Sequence, residues 1–183
     1  MTVGIIIGIV VVVLILWLIS MYNNFVKLRN LCDNAWAQID VQLQRRIDLI
    51  PNLVETVKGY ASHESGTFQA VTEARAAVAN AKTPEEKMAA DNALTGTLKT
   101  LFAVAEAYPE LKANTNFQEL QTELSNTEDK ISYMRQSFND VVMKYNNALQ
   151  VFPANIFAGM FGFQPRQSFD AVAGAETAPK VQF

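Results

Sequence analysis

Residues 117–152 read FQELQTELSNTEDKISYMRQSFNDVVMKYNNALQVF, and the spacing within this stretch decides the fold. Phe117, Leu120, Leu124, Thr127, Ile131, Met134, Phe138, Val141, Tyr145, Ala148 and Phe152 alternate steps of three and four. That is the heptad seam of one long helix, with Thr127 its polar member and Ala148 its smallest. At 1.5 Å per residue the helix is about 54 Å long. A 3.5-residue period predicts left-handed supercoiling against a neighbour. Asn116 is the expected cap, with Glu119 reaching back.

A helix of that length needs a partner, and the first third of the chain supplies one. Phe25, Leu28, Cys32, Trp36, Ile39, Leu43, Ile47, Ile50, Val54, Val57 and Ala61 cover 36 positions in ten steps. The average of 3.6 is the period of a straight α-helix with one buried stripe. Pro51 falls inside this stripe, where it removes one backbone donor and crowds the carbonyl of Ile47. A bent but continuous helix is the expectation, ending at Gly59 or within 62–66. A shorter helix carries Phe68, Val71, Ala74 and Val78 on one face. Thr83-Pro84-Glu85-Glu86 then opens another, with Thr83 as cap, Pro84 at the first helical position and Glu86 completing a capping box. It carries Leu94, Leu98, Leu101 and Ala105 and stops before Pro109. The predicted class is all-α: an antiparallel bundle of three to four helices, with the two long helices as its spine.

Upstream lies a different kind of sequence. Val3–Ile19, VGIIIGIVVVVLILWLI, is 17 residues with 14 Ile, Val or Leu and no charge. A helix of this run and its flanks spans roughly 28 Å, close to bilayer hydrocarbon thickness. Fourteen such residues at roughly −0.4 kcal/mol each favour insertion by several kcal/mol. No Lys or Arg precedes the run and no small-x-small cleavage site follows it, so it reads as a retained anchor rather than a signal peptide. Trp17 and Tyr22 are placed as interface residues. Lys27 and Arg29 follow the exit, and the positive-inside rule then puts Met1–Thr2 outside and the domain in the cytoplasm. A periplasmic domain is the alternative. Gly4 and Gly8 have GxxxG spacing. Nothing punctuates the chain after the run, so the anchor is expected to continue into the first long helix. The expected organisation is a transmembrane anchor over 1–22, a helical bundle over 23–152 and an irregular tail over 153–183.

The tail is rich in aromatics. NIFAGMFGFQPRQSF interleaves Phe157, Phe161, Phe163 and Phe169 with glycine and proline, a pattern that predicts neither a helix nor an ordinary solvated linker. Four exposed phenylalanines would form an interaction surface. The open alternatives are docking on the chain's own bundle, on a second copy, or on the membrane surface.

Candidate chemistry is sparse. Net charge is −3, which gives no basic footprint for nucleic acid. Cys32 is the one cysteine and lies on the apolar stripe, so it reads as a small buried thiol. His63-Glu64 begins like a zinc-binding HExxH, but Thr67 stands where the second histidine belongs. With one histidine in the chain, a di-iron carboxylate bundle is also excluded. Asp48, Glu55, Glu106, Glu128, Asp129 and Asp140 read as partners of Arg45, Arg46 and Arg135 in surface ion pairs, with acid/base catalysis the alternative. No catalytic, cofactor-binding or metal-ligating residue is assigned, and no phosphate loop is present.

Several long motifs resemble the LemA family. They are NAWAQIDVQLQRRIDLIPNLVETVKGYASHE over Asn34–Glu64, FQAVTEAR from Phe68, LFAVAEAYPELKAN from Leu101, the long helix from Phe117, FPANIFA from Phe152 and the closing APKVQF. The resemblance implies a single N-terminal anchor with its N-terminus outside, an all-helical domain and no established enzymatic activity. The expectation is a non-enzymatic scaffold or interaction protein of the inner membrane. It acts as a homo-oligomer, or with other membrane proteins, in the lipid bilayer. A membrane-tethered enzyme or cofactor-binding bundle with a site between helices is the alternative, and a buried polar cluster lining a pocket would distinguish it. A signal-relaying subunit ranks last, because Met1 and Thr2 offer no periplasmic ligand site.

Overall fold

The computed structural model describes residues 2–169. The closing APKVQF motif lies outside them. The described chain is helical, with the order α1 Thr2–Lys58, α2 Ser65–Asn80, α3 Pro84–Glu106, α4 Pro109–Lys112, α5 Thr115–Gln150 and α6 Ala154–Met160. Among the described residues there is no strand.

α1 is one continuous helix from the apolar run to Lys58, as the absence of helix breakers after Ile19 predicts. It also continues through Pro51. Its buried stripe follows the 3.6 period: Phe25, Cys32, Ile39, Leu43, Ile47, Ile50, Val54 and Val57 are all buried. The carbonyl of Ile47, which loses its helical donor at Pro51, accepts a hydrogen bond of 2.7 Å from Arg75 Nε of α2. A side chain from the next helix thus replaces the N–H that proline lacks.

α3 starts as its sequence requires. Glu86 N donates to Thr83 Oγ1 at 3.1 Å, and Thr83 N donates to the Glu86 carboxylate at 3.3 Å. The start of α5 differs from expectation. Asn114, not Asn116, caps it, with Asn114 Oδ1 accepting from Phe117 N at 3.0 Å. Either asparagine has the chemistry to cap, but Asn114 Nδ2 also donates to the Tyr60 hydroxyl at 3.0 Å. That second bond holds the side chain at the earlier position.

The seam of α5 also departs from the 3.5-residue repeat. Leu124, Thr127, Ile131, Phe138 and Tyr145 are buried as predicted, but Val142 and Leu149 take the places expected of Val141 and Ala148, and Phe152 is exposed. A straight helix drifts about 20° per heptad from a 3.5 repeat, so over several turns the buried line moves one residue towards the C-terminus. Thr127 satisfies its buried hydroxyl on Glu123 O at 2.7 Å.

The chain forms two compact units. One comprises α1 up to Ala35 with Ser137–Ser168, and it buries Phe25, Cys32, Phe138, Val142, Tyr145, Leu149, Ala158 and Phe163. The other comprises Trp36–Gln136 with Phe169. Its core joins Ile47, Ile50, Leu53 and Val57 of α1, Phe68, Val71 and Val78 of α2, Leu94, Leu98 and Leu101 of α3, Leu111 of α4, and Phe117 and Leu124 of α5. Each such side chain contributes roughly 1.5–3 kcal/mol by leaving water.

Candidate functional site

In the first unit, the end of the apolar run meets the tail. From Val3 to Ile19 almost every side chain of α1 is exposed, and this is the one described helix long and apolar enough to cross a membrane. The tail is not irregular throughout, because Ala154–Met160 form α6 and irregular chain begins after Phe161. Its aromatics pack edge-on against α1. Trp17 meets Phe157 at 6.1 Å between ring centres, and Tyr22 meets Phe161 at 5.2 Å and Phe163 at 5.6 Å. Phe25 meets Phe163 at 5.2 Å, and the Arg29 guanidinium lies 5.4 Å over the same ring. Edge-to-face rings and a cation over a ring face are the favourable geometries for these groups.

Polar contacts pin the tail further along. Asn146 of α5 donates to Arg166 O at 2.8 Å and accepts from Arg166 N at 2.9 Å. The Arg166 guanidinium reaches Asp33 at 2.6 Å. Beneath them, burial pushes the Cys32 thiol above its usual range, with Arg166 opposing the shift. Burial likewise raises the Tyr145 phenol, against the pull of Arg166 and Arg29.

Of the residues singled out from sequence, Trp17, Tyr22, Arg29, Phe157, Phe161 and Phe163 therefore come together in one collar. Lys27 is exposed on α1. Phe169 belongs to the second unit, where it is buried, stacks obliquely on Trp36 at 6.0 Å and lies under the Arg135 guanidinium at 5.1 Å. Asn146 and Arg166 carried no signal in the helical pattern, because their partnership joins positions 20 residues apart through an irregular segment.

The second unit holds a buried charge cluster where surface pairs were expected. Asp91 is fully buried between two arginines. Arg46 Nη1 donates to Oδ1 at 2.7 Å, and Arg135 Nη2 donates to Oδ2 at 2.7 Å. The other end of Arg46 reaches Thr95 Oγ1 at 3.0 Å and the Glu128 carboxylate at 2.6 Å. Arg135 Nη1 donates to Asn92 Oδ1 at 2.9 Å. Two guanidiniums and two carboxylates make the group neutral overall, the condition under which buried charge is tolerated. Within the cluster, Nε of Arg46, Nε of Arg135 and Oε2 of Glu128 make no hydrogen bond among the described residues, Glu128 Oε2 meeting Arg46 by its ion-pair contact alone.

Arg45 does sit in a surface ion pair, but with Glu123, an acid outside the six singled out from sequence, at 2.6 Å and with both side chains half exposed. Asp91 was the member that sequence reading missed. Its signal is its place on the buried face of α3, three residues after Met88 and three before Leu94. Beside the cluster lies a cleft of about 610 Å³, lined by Arg46, Thr95, Lys99, Phe102, Ser125 and Glu128 among others. Among the described residues no three His, Cys, Asp or Glu side chains gather to hold a metal ion.

The sequence is similar to several known proteins. The chain is 25% identical over 193 residues to magnetosome protein MamQ 2 of Paramagnetospirillum magneticum, covering 91% of this chain and 71% of that protein. It is 26% identical over 140 residues to Protein LemA of Metamycoplasma hominis, covering 74% of this chain and 63% of that one. Magnetosome protein MamQ of Magnetospirillum gryphiswaldense is 24% identical over 186 residues, covering 87% and 68%. Residues 35–183 match the sequence profile of the LemA family. With the profile reaching from the middle of α1 to the last residue, the chain belongs to the LemA family.

Proposed function

We propose that the protein is a membrane-anchored, non-enzymatic helical scaffold that self-assembles on the inner membrane, with its helical domain on the cytoplasmic side. The observation that carries this reading is the continuity of α1, one helix from an exposed apolar stretch into a stripe that builds core. Such a tether keeps every copy on one surface, where effective concentration multiplies weak contacts. The buried acid Asp91 has both oxygens engaged by arginine, which supports a structural role for it rather than proton transfer.

The phenylalanines Phe163 and Phe169 are buried within the chain, so the self-contact is drawn from the anchor. Gly4 and Gly8 have open space at their Cβ positions, and small residues at that spacing let membrane helices approach closely. Lys27 and Arg29 support the cytoplasmic orientation.

Light scattering of the full chain in mild detergent tests the assembly. The expected mass is a multiple of the 20.3 kDa chain, lowered by Gly4→Ile with Gly8→Ile. A single-chain mass at micromolar concentration overturns it. A C-terminal reporter active only in the periplasm reverses the orientation. The cleft beside Arg46 and Glu128 favours a second reading, a tethered bundle that binds a small molecule. Native mass spectrometry tests it by seeking a retained compound that Ser125→Trp, which fills the cleft, displaces.

A further inference from the structure

The fold leaves α6 and its approach apolar on the outside. Phe152 and Met160 are 77% and 74% exposed, and Val151, Ile156 and Phe161 are exposed beside them. From Tyr145 through Pro165 the sequence contains no charged residue, which is unusual for a segment facing water. α6 has two faces. Ala158 is buried and Phe157 half-buried against α1, while Ile156 and Met160, four residues apart, share the outer side. A contiguous apolar surface of this kind marks a place where something covers it.

The collar shows at what level this surface lies. α6 meets α1 through the Trp17–Phe157 pair, and the residue that follows α6, Phe161, meets Tyr22. Trp17 lies within the apolar run and Tyr22 just beyond it, about 7.5 Å further along the helix axis. The headgroup layer on each side of a bilayer is roughly 5–8 Å thick. The apolar side of α6 is therefore continuous with the exposed apolar surface of the anchor and stands at the height where that anchor leaves the hydrocarbon.

We propose that α6 is a second membrane-contacting element, an interfacial helix lying beside the exit of the anchor with Phe152, Ile156 and Met160 seated at the headgroup–acyl boundary. The occupant of this surface is lipid. Helices that lie in the interface bind through buried apolar area and through attraction of basic residues to anionic lipid. α6 has no basic residue, so its contact is apolar and indifferent to lipid charge. The proposal rests on the reading of α1 as a membrane anchor.

The test uses the full chain with Cys32→Ala, carrying one new cysteine at a time: Ile15→Cys in the anchor, Met160→Cys in α6, or Asn30→Cys. Asn30 is exposed on α1, about 20 Å beyond Trp17. Each is labelled with a nitrobenzoxadiazole fluorophore and reconstituted in phosphatidylcholine vesicles containing lipid with a nitroxide high on the acyl chain. The expected result is at least twofold quenching at Ile15 and Met160 and none at Asn30. Quenching at Met160 should not change when a third of the lipid is phosphatidylglycerol. Phe152→Cys gives an independent second probe of the same surface.

If Ile15 is quenched while Met160 and Phe152 emit as in water, the inference is overturned and the anchor reading stands. If Ile15 is not quenched, the anchor reading itself fails, and the interfacial helix with it. If Met160 emits as in an apolar site yet is unquenched, and returns to water-like emission on dilution with lipid, a second copy covers the surface and the lipid assignment falls.

Discussion

Removing Arg75 tests whether a side chain from α2 completes the backbone of α1. Pro51 has no N–H, so the Ile47 carbonyl has no donor in its own helix, and Arg75 Nε supplies one at 2.7 Å. Ile47 is 4% exposed, so water offers little substitute. A hydrogen bond from a charged donor is worth about 1.5–3 kcal/mol, and leaving a buried acceptor unsatisfied costs about 1–3 kcal/mol. Arg75 is half-buried, which favours the middle of that range, and Arg75→Ala should cost about 2 kcal/mol. Part of that loss is the packing of the arginine stem, which a single variant does not separate.

The double-mutant cycle with Pro51→Ala isolates the hydrogen bond. That substitution restores an N–H four residues after Ile47, so the carbonyl no longer depends on Arg75. Adding Arg75→Ala to the Pro51→Ala background should then cost at most about 1 kcal/mol, the stem packing alone. The expected coupling is about 1 kcal/mol or more, a shift of about 4 °C for a domain of this size. Urea unfolding of the four full-length proteins in one detergent, followed by circular dichroism, measures it. Equal cost of Arg75→Ala in both backgrounds refutes the reasoning, whatever Pro51→Ala does alone.

Asp91→Ala should destabilise by about 3–5 kcal/mol, because it leaves the Arg46 and Arg135 guanidiniums facing each other without their shared carboxylate. Removal of the half-exposed Arg45–Glu123 pair should cost under about 1 kcal/mol, and equal losses in the same urea titration would contradict the burial argument. Stability should also fall in alkali. Cys32 and Tyr145 are raised above ordinary values of 9.0 and 10.0, so above about pH 9 the unfolded chain gives up protons that the folded chain keeps. The contribution is fully present below that pH and is lost as pH rises through the folded values. Cys32→Ala should therefore lose less stability than the parent between pH 7 and about pH 10, and an identical loss would show that the buried thiol does not set the dependence.

The helices were legible because burial repeats. Eight positions of the α1 stripe, from Phe25 to Val57, recur on a buried face, and Thr83 with Glu86 announced α3 by a side-chain exchange that needs only local sequence. The misses share a cause. Whether Asn114 or Asn116 caps α5 depends on Tyr60, far back in the chain. The drift of the α5 seam to Val142 and Leu149 depends on how straight the helix runs. The burial of Arg46, whose other end reaches the half-exposed Glu128, depends on Asp91 being on the facing side of α3. Each is decided by a neighbour that periodicity along one helix does not contain.

Asp91 also explains why an apolar seam alone leaves such a unit underdetermined. Leu, Ile and Val at heptad spacing pack almost as well after one helix slips by a repeat, because the slipped seam presents similar side chains at similar positions. Asp91 removes that degeneracy. A slip of α3 against α1 or α5 would carry its carboxylate about 10 Å from Arg46 or Arg135 and bury it beside leucine instead, at a cost of several kcal/mol. The pairs Arg46–Asp91 and Arg135–Asp91 tie α1 to α3 and α5 to α3 through one acid, so a single residue registers three helices at once. The apolar stripes supply most of the stabilisation, and the charge cluster makes one alignment of those stripes better than the next.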